Sequence, residues 1–205
     1  MTHKLQVLVL GATGGIGRAF VAQAVERGHH VTAVARRAEQ LATMPGLSVV
    51  IGDPLRADML AGVVPGHDAV VSALGSRRGD AKDVLSRGAT ALVLAMPRAG
   101  VSRLLIISAG MLFPGRLAWV LRRFVFRETA EDSARMEQIV RTSALDVTIV
   151  RPPRLTDAPG RGLYRAENGR LPPSGFAIPR ADVARFLVDE LERGEYRGAI
   201  VGVCS

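Results

Sequence analysis

The stretch LQVLVLGATGGIG, residues 5–17, decides the fold of this chain. A run of mostly apolar residues leads directly into three glycines spaced G-x-x-G-x-x-G, at Gly11, Gly14 and Gly17. Near-continuous apolar runs are typical of parallel strands that are buried on both faces. A segment with helical periodicity, 16–27, follows the glycines. The stretch therefore predicts a strand, a tight turn and a helix, an arrangement that holds a diphosphate at the helix N-terminus.

Each of the three glycines has a distinct predicted role in that turn. Gly11 forms the turn, Gly14 leaves room for a phosphate, and Gly17 lets the helix pack close to the strand. The alternative is a glycine-rich turn without a ligand, but a second strand-like run at 30–35 favours a dinucleotide-binding unit. The other cofactor contacts predicted in this loop are Thr13, Gly15 and Ile16.

Apolar strand-like runs alternate with helical stretches along most of the chain. The runs lie at 5–10, 30–35, 47–51, 69–74, 103–108 and 145–150. This alternation predicts an α/β fold, a Rossmann-like doubly wound parallel sheet in a single domain. Proline and glycine turn signals interrupt the pattern over 151–179, so we expect that segment to be a loop-rich cap on the substrate cleft. An amphipathic helix over 180–193, ended by Gly194, and a last strand over 199–203 complete the domain.

Composition excludes several classes of protein. The net charge is +8, and all of the 27 basic residues except Lys4 and Lys82 are arginine. The arginines are spread along the whole chain, whereas a nucleic-acid binder would concentrate them on a stripe, often with stacking aromatic residues, so nucleic-acid binding is not expected. No apolar run reaches the roughly 18 residues that span a bilayer. Cys204 is the only cysteine, so no internal disulfide can form, which fits a reducing cytoplasm.

The end of the second strand-like run indicates which nicotinamide cofactor is bound. NAD sites place an acidic residue about 20 residues after the glycines, where it binds the ribose 2′-hydroxyl. Arg36 stands at this point instead. A guanidinium suits a 2′-phosphate because it forms forked, charge-assisted hydrogen bonds. The sequence therefore predicts NADP(H) in preference to NAD(H).

Two further strand ends contribute predicted cofactor contacts. Asp53, followed by Pro54, is expected to accept a hydrogen bond from the adenine amino group; the alternative role, compatible with the first, is the N-cap of the next helix. After the fourth run, Leu74, Gly75 and Arg77 are expected to pass the nicotinamide ribose, although an ordinary strand-to-loop transition has similar residues.

These features resemble the short-chain dehydrogenase/reductase superfamily, in its atypical NAD(P)H-binding, NmrA-like branch. The resemblance rests on GATGGIG (11–17), VAR (34–36), GD (52–53), ALGSR (73–77), ISAG (107–110), ARMEQIVRTSALD (134–146), RPPRLTD (151–157), IPRADVARFL (178–187) and EYRG (195–198). Within that branch the chain is similar to flavin and biliverdin reductases. The resemblance implies a nicotinamide cofactor and adds Pro152 to the cofactor contacts.

Most short-chain dehydrogenases transfer protons with a tyrosine and a lysine four residues later, and this chain lacks that pair. Neither Tyr164 nor Tyr196 is followed by such a lysine. The resemblance places the two positions near Thr129 and Ser133, neither of which is a strong acid or base. The histidines, which lie at strand starts or in loops of the first third of the chain, are His3, His29, His30 and His67.

Ser108 is therefore the first catalytic candidate. It ends the fifth strand-like run, so we expect its hydroxyl to face the cleft near the nicotinamide. The resemblance assigns it to cofactor and substrate contact; a hydroxyl bonded to the backbone is the alternative. Relatives carry histidine at the positions of Arg154 and Ser133, which argues against biliverdin as the substrate. These two residues complete the candidate catalytic set.

The stretch RLAWVLRRFVFR, 116–127, is apolar almost all round. Four interpretations stay open: a roof over an apolar substrate pocket, a dimer contact, a helix on a membrane surface, or a partly buried helix with arginine heads in water. Trp119, Phe124 and Phe126 cluster here, and Phe113 and the proline-rich loop could join them. This cluster indicates a flat aromatic or otherwise apolar substrate.

The sequence thus predicts an NADPH-dependent reductase that transfers hydride to a flat conjugated acceptor, such as a flavin or a quinone. Such a site needs little proton transfer by the protein, because the cofactor supplies the reactive hydride. A non-catalytic NADP(H)-binding redox sensor is the first alternative. An isomerase or epimerase that uses a tightly held nicotinamide is the second. We expect a monomer or homodimer and no metal site.

Overall fold

The structure, a computed structural model, describes residues 4–37, 41, 44–75, 81–115 and 126–205. Ten strands lie in this part of the chain: β1 (Gln6–Leu10), β2 (His30–Ala35), β3 (Leu47–Ile51), β4 (Ala69–Ser72), β5 (Arg103–Ile107), β6 (Asp146–Arg151), β7 (Arg154–Thr156), β8 (Arg165–Asn168), β9 (Ala177–Pro179) and β10 (Ile200–Cys204). Its five α-helices are α1 (Gly15–Glu26), α2 (Ala57–Val63), α3 (Val84–Ala95), α4 (Arg127–Arg141) and α5 (Arg180–Arg193). Two short 3-10 helices lie at Pro97–Ala99 and Gly110–Leu112.

Eight strands form one twisted sheet in the order β3-β2-β1-β4-β5-β6-β10-β8. Neighbouring strands are parallel except β8, which runs antiparallel to β10 at one edge. The first six follow the 3-2-1-4-5-6 order of dinucleotide-binding sheets, whose connections reverse direction between β1 and β4. Strands β7 and β9 pair separately. The predicted doubly wound parallel fold is therefore confirmed, and ligands are expected at the switch point between β1 and β4.

Strand β1 shows why the deciding stretch reads as continuously apolar. Val7 and Val9 face a cluster that includes apolar residues of α1 and α5, and Leu8 and Leu10 face a cluster with α2, α3 and α4. All four side chains are fully buried. Burying each contributes about 1.5–3 kcal/mol, so a polar substitution on either face of β1 would destabilise the domain. Helices thus cover both faces of the sheet.

The predicted element boundaries hold closely, with one informative difference. The fourth strand ends at Ser72, not at residue 74. Beyond Ser72 the chain crosses the glycine loop, where a Cβ built on Gly11 would lie 2.4 Å from the carbonyl oxygen of Ala73. This crossing brings Leu74 into the ligand-binding edge of the sheet. Helix α5 ends at Arg193, and Gly194, the residue predicted to end it, is the C-cap. Its φ of 64° lies in the left-handed region.

The segment 151–179 carries three short strands and loops, and it is held to α5 by hydrogen bonds. Both carboxylate oxygens of Asp182 accept hydrogen bonds from this segment, from the N–H of Arg161 at 3.1 Å and of Gly162 at 2.9 Å. The described helices are all too short or too polar to cross a membrane. Of the stretch 116–127, residues 116–125, including Trp119 and Phe124, lie outside the described residues.

Candidate functional site

A cavity of about 1120 Å³ opens at the carboxyl ends of the central strands. This exceeds the roughly 300–1,000 Å³ of a pocket for one small molecule, so a dinucleotide and a second ligand can share it. The predicted cofactor contacts that line it are Gly11, Thr13, Gly14, Gly15, Ile16, Arg36, Asp53, Pro54, Leu74, Gly75, Ser108 and Pro152. Gly17 lies buried behind the loop, and Arg77 lies outside the described residues.

The reason for a glycine differs among Gly11, Gly14 and Gly17. Gly11 has a φ of +78°, which L side chains rarely adopt. A Cβ on Gly17 would collide with the Gly11 carbonyl oxygen at 2.2 Å, which is the close packing of helix and turn expected from the sequence. At Gly14 the same oxygen would be 3.3 Å away, a tight contact that a small shift relieves. The protein itself therefore tolerates a side chain best at Gly14.

The N-terminus of α1 fits the diphosphate of a dinucleotide. Gly14 is the N-cap and has no side chain to cap the helix, and the first turn contains no acidic residue. The first N–H groups of a helix lack partners within the helix, and its dipole favours negative charge there. Backbone N–H groups of Gly15 and Ile16, beside the cavity, are suited to hold the phosphates.

Arg180, which the sequence analysis missed, lies over this loop. It is the first residue of α5 and lines the cavity. A Cβ built on Gly15 would lie 2.4 Å from Arg180 Cδ, so the arginine occupies the space above that glycine. Its Nη1 also donates to Asp157 Oδ1 at 2.6 Å. Arg180 therefore adds positive charge where a diphosphate would lie.

At the end of the cavity suited to the adenosine moiety, one predicted role is corrected. Arg36 is exposed and lines the cavity at the end of β2. Asp53 does not cap α2, because the N-cap of that helix is Arg56. Its Oδ1 instead accepts a hydrogen bond from the N–H of Leu55 at 3.0 Å and closes a turn before the helix. Asp53 thus lines the cavity from a turn.

Ser108 belongs to a buried charged cluster that the sequence analysis missed. Its Oγ donates to Glu137 Oε1 at 2.5 Å, so the alternative of a hydroxyl bonded to the backbone is wrong. Arg151 donates to both oxygens of Glu137, through Nε at 2.8 Å and Nη2 at 2.6 Å. The guanidinium carbon of Arg151 lies 4.7 Å from the centre of the Phe113 ring. Ser108 lines the cavity, and Glu137, 4% exposed, lies behind it.

The sequence held a signal for Glu137. Helix α4 buries a stripe at Ala130, Ser133, Met136 and Val140, and Glu137 lies on the same face. An acidic residue on the buried face of an amphipathic helix requires a partner, because an unpaired buried charge is costly. Periodicity of α4 would therefore have marked Glu137 as a buried ion-pair residue.

The aromatic residues at the cavity differ partly from the expected set. Phe126, 46% exposed, and Phe176, 77% exposed, both line the cavity. Phe113 does not join them, because it is buried against Arg151. Phe176 was not among the expected residues. Two exposed aromatic side chains at one cavity are suited to contact an apolar ligand.

The remaining catalytic candidates also border the cavity. These candidates are Ser133 on α4 and the exposed Arg154 at the start of β7; Thr129, one turn before Ser133, lines the cavity as well. Among the described residues, no histidine and no tyrosine lines it. Burial and the neighbouring Asp189 raise the pKa of Tyr164 well above its ordinary value. Tyr164 is therefore unsuited to exchange protons at neutral pH.

Comparisons with known proteins agree with this geometry. A family model described as NAD(P)H-binding matches residues 11–193. An uncharacterized sugar epimerase of Bacillus subtilis, YhfK, is 28% identical over 201 residues, covering 92% of this chain and 88% of that protein. The crystal structure of a candidate NADH-flavin reductase from Streptococcus pneumoniae superimposes with a TM-score of 0.79 at 26% identity, covering 98% of this chain and 99% of that one.

Longer relatives match over shorter stretches. Photosystem II assembly factor Ycf39 of Synechocystis is 30% identical over 109 residues, which is 51% of this chain and 33% of that protein. The divinyl chlorophyllide a 8-vinyl-reductase of Arabidopsis thaliana is 38% identical over 93 residues, 38% of this chain and 22% of the reductase. The matches thus span a third or less of these two relatives. With a Rossmann-like sheet, a glycine loop at its switch point and a family match over most of its length, this chain belongs to the NAD(P)H-binding family.

Proposed function

We propose that the protein is an NADPH-dependent reductase of a flat conjugated acceptor, such as a flavin or a quinone. The observation that carries the proposal is the continuity of the cavity. One cavity of about 1120 Å³ is lined by the glycine loop, by Ser108 and by the exposed residues Phe126 and Phe176. A cofactor on the loop and an acceptor against the phenylalanine side chains would then share one cavity.

The cofactor half of the cavity is positively charged at two points. Arg180 lies above the glycine loop, and Arg36 directly follows β2. The first suits the diphosphate and the second suits a 2′-phosphate, through forked charge-assisted hydrogen bonds. The reduced nicotinamide, when bound, supplies a hydride to the acceptor. The loop and the two arginines bind and orient the cofactor.

The acceptor half offers binding surfaces and few proton-transfer groups. Phe126 and Phe176 offer exposed apolar side chains, and the exposed Arg154 can bind a carbonyl or anionic group of the acceptor. No lysine, histidine or tyrosine lines the cavity in the described part of the chain. This composition favours an acceptor whose reduction depends on placement beside the nicotinamide.

A redox sensor without turnover is the alternative, because the same scarcity of proton-transfer groups suits a protein that only binds NADPH. An epimerase activity is a further alternative, because one relative is named as a sugar epimerase, although that relative is itself uncharacterized. These functions share the cofactor half of the cavity and differ in what occupies the acceptor half.

Steady-state oxidation of NADPH with riboflavin, FMN, menadione and a redox dye tests the proposal. We expect turnover with at least one acceptor, and we expect Phe176→Ala to raise KM because a ring face is lost. Leu163→Ala is a matched control, since Leu163 is 74% exposed and does not line the cavity. Tight NADPH binding without turnover of any acceptor would contradict the reductase and favour the sensor.

A further inference from the structure

The hydrogen-bonding directions in the Ser108–Glu137–Arg151 cluster are fixed by chemistry. An ionised carboxylate only accepts hydrogen bonds, and a serine hydroxyl has one hydrogen and two lone pairs. Glu137 Oε1 accepts from Ser108 Oγ at 2.5 Å and from Arg151 Nε at 2.8 Å. The hydroxyl hydrogen of Ser108 therefore points away from the cavity, toward Glu137.

The cluster is also rigid. Both oxygens of Glu137 are held by Arg151, and the guanidinium in turn lies against the ring of Phe113. Side chains of Glu137 and Arg151 are only 5% and 13% exposed. Rotating Ser108 to donate elsewhere would give up a hydrogen bond to a charged group, a type of bond stronger than neutral ones. The direction of the Ser108 hydrogen bond is therefore set before a ligand enters.

We propose that Glu137 is a positioning residue that makes Ser108 a hydrogen-bond acceptor toward the ligand. The lone pairs of Ser108 Oγ, which have no donor partner in the described part of the chain, then select a ligand group with an N–H or O–H. A ligand that presents only a carbonyl oxygen to Ser108 would place lone pairs against lone pairs. The inference deepens the proposed reductase function by naming the chemistry that its site selects.

Two ligands could supply that donor. The carboxamide of the nicotinamide has an NH₂ group, and a flavin ring has an N–H at N3, whereas a simple quinone has only carbonyl oxygens. The donor chemistry is the same, so the source is distinguished by measuring each ligand separately. If the hydride acceptor supplies the N–H that donates to Ser108, flavins are favoured over simple quinones. If the nicotinamide carboxamide supplies it, the site does not distinguish the two acceptors in this way.

A ligand-pair cycle tests the direction of this hydrogen bond by binding, independently of turnover. Calorimetry compares wild type and Ser108→Ala for NADPH and its reduced 3-acetylpyridine analogue, whose methyl ketone lacks the NH₂. A second arm compares riboflavin with N3-methylriboflavin, in the presence of NADP⁺. We expect Ser108→Ala to weaken the N–H ligand of one arm about tenfold and its matched analogue less than twofold. The arm that shows this difference identifies the source of the donor.

A double variant, Glu137→Leu with Arg151→Met, separates positioning from structural support. Both charges are removed together, so neither is left buried and unpaired. The Ser108 hydroxyl is then free to donate, and we expect the preference for the N–H ligand over its analogue to fall at least fivefold. A purely structural role would weaken both ligands equally and leave the preference unchanged.

The inference is overturned if Ser108→Ala weakens both members of each pair equally, or weakens only the analogue that lacks the donor. It is likewise overturned if the double variant, shown to be folded by circular dichroism, keeps the wild-type preference. Absence of turnover with every acceptor would contradict the reductase function and leave the binding measurements readable. The two failures are therefore distinguishable.

Discussion

The side chain of Arg180 lies in the space that a side chain at Gly15 would occupy, because a Cβ built on Gly15 would lie 2.4 Å from Arg180 Cδ. The glycine belongs to the first turn of α1 and the arginine is the first residue of α5, so packing of the two helices brings the charge to the loop. A side chain at position 15 would therefore displace the side chain of Arg180, in addition to any effect on a ligand. The cofactor loop and the segment that precedes α5 are coupled at this contact.

This contact predicts that Gly15→Ala and Arg180→Ala have overlapping effects. Each should lower NADPH affinity about tenfold, because the alanine methyl displaces the guanidinium that the second variant removes. The double variant should be little worse than either single one, as expected for residues that act together. Calorimetric titration of the two single variants and the double variant with NADPH gives the coupling free energy between the two positions. Fully additive losses would show that the methyl acts directly on the phosphates.

Gly62→Ala is the matched control for these glycine substitutions. Gly62 lies in α2, is exposed, and has no atom within 4 Å of a built Cβ. We expect it to raise stability by about 0.5–1 kcal/mol, through lower backbone entropy of the unfolded chain, with NADPH affinity unchanged. Thermal unfolding and titration measure the two effects. A loss of affinity in this control would indicate that distant changes reach the site.

Arg36 and Arg37 provide a neighbouring pair for testing cofactor choice. Both are exposed, and only Arg36 lines the cavity. We expect wild type to bind NADPH more tightly than NADH, and Arg36→Ala to remove about 1.5–3 kcal/mol of that preference, the range for hydrogen bonds to charged groups. Arg37→Ala should leave the preference in place. Equal wild-type affinities for the two cofactors would refute an NADP(H) site.

The sequence predicted the strands, helices and turns that depend on neighbouring residues. It did not predict the side-chain contacts that form only when separate elements pack together. Residues 5–17 contain both the buried strand and the turn that follows it, so their pattern was sufficient. Glu137 and Arg151 meet only after α4 packs beside β6, and Arg180 reaches Gly15 only through packing of α5 on α1. Such contacts join residues far apart in sequence, and no local pattern reports their distance.

Gly14 and Gly17 should separate cofactor binding from folding. A Cβ at Gly14 meets the Gly11 carbonyl oxygen at 3.3 Å, whereas at Gly17 it meets that oxygen at 2.2 Å. We therefore expect Gly14→Val to retain a native circular dichroism spectrum while losing NADPH binding, because its methyl groups occupy the phosphate space. Gly17→Ala should lower stability by about 1–3 kcal/mol or more, the usual cost of overpacking.

Chemical denaturation of Gly17→Ala and calorimetry of Gly14→Val measure these two outcomes. Undiminished NADPH binding by Gly14→Val would mean that the phosphates lie elsewhere. Unchanged stability of Gly17→Ala would show that helix α1 can move away from the turn at little cost. The two results are independent, since one reports ligand space and the other reports packing within the domain.

Arg154 should act in acceptor binding. It is exposed, lines the cavity at the start of β7, and carries a guanidinium that can donate several hydrogen bonds to a carbonyl or anionic group. Arg154→Ala should therefore raise KM for the acceptor severalfold and change kcat little. Arg161→Ala, on the same segment and not lining the cavity, is the control. A large fall in kcat at unchanged KM would instead assign Arg154 to the transition state.

The pH dependence of kcat tests whether the protein transfers a proton at all. In the described part of the chain the titratable side chains at the cavity are Arg36, Asp53, Arg154 and Arg180. None of these four side chains is a histidine, the residue type that most often exchanges protons as a general acid or base. We therefore expect kcat to be nearly constant between about pH 6 and pH 9, and Ser108→Ala to lower kcat/KM by only about 10- to 100-fold. A steep dependence of kcat on pH, or a loss above about ten-thousandfold in Ser108→Ala, would show that the protein contains a dedicated proton relay.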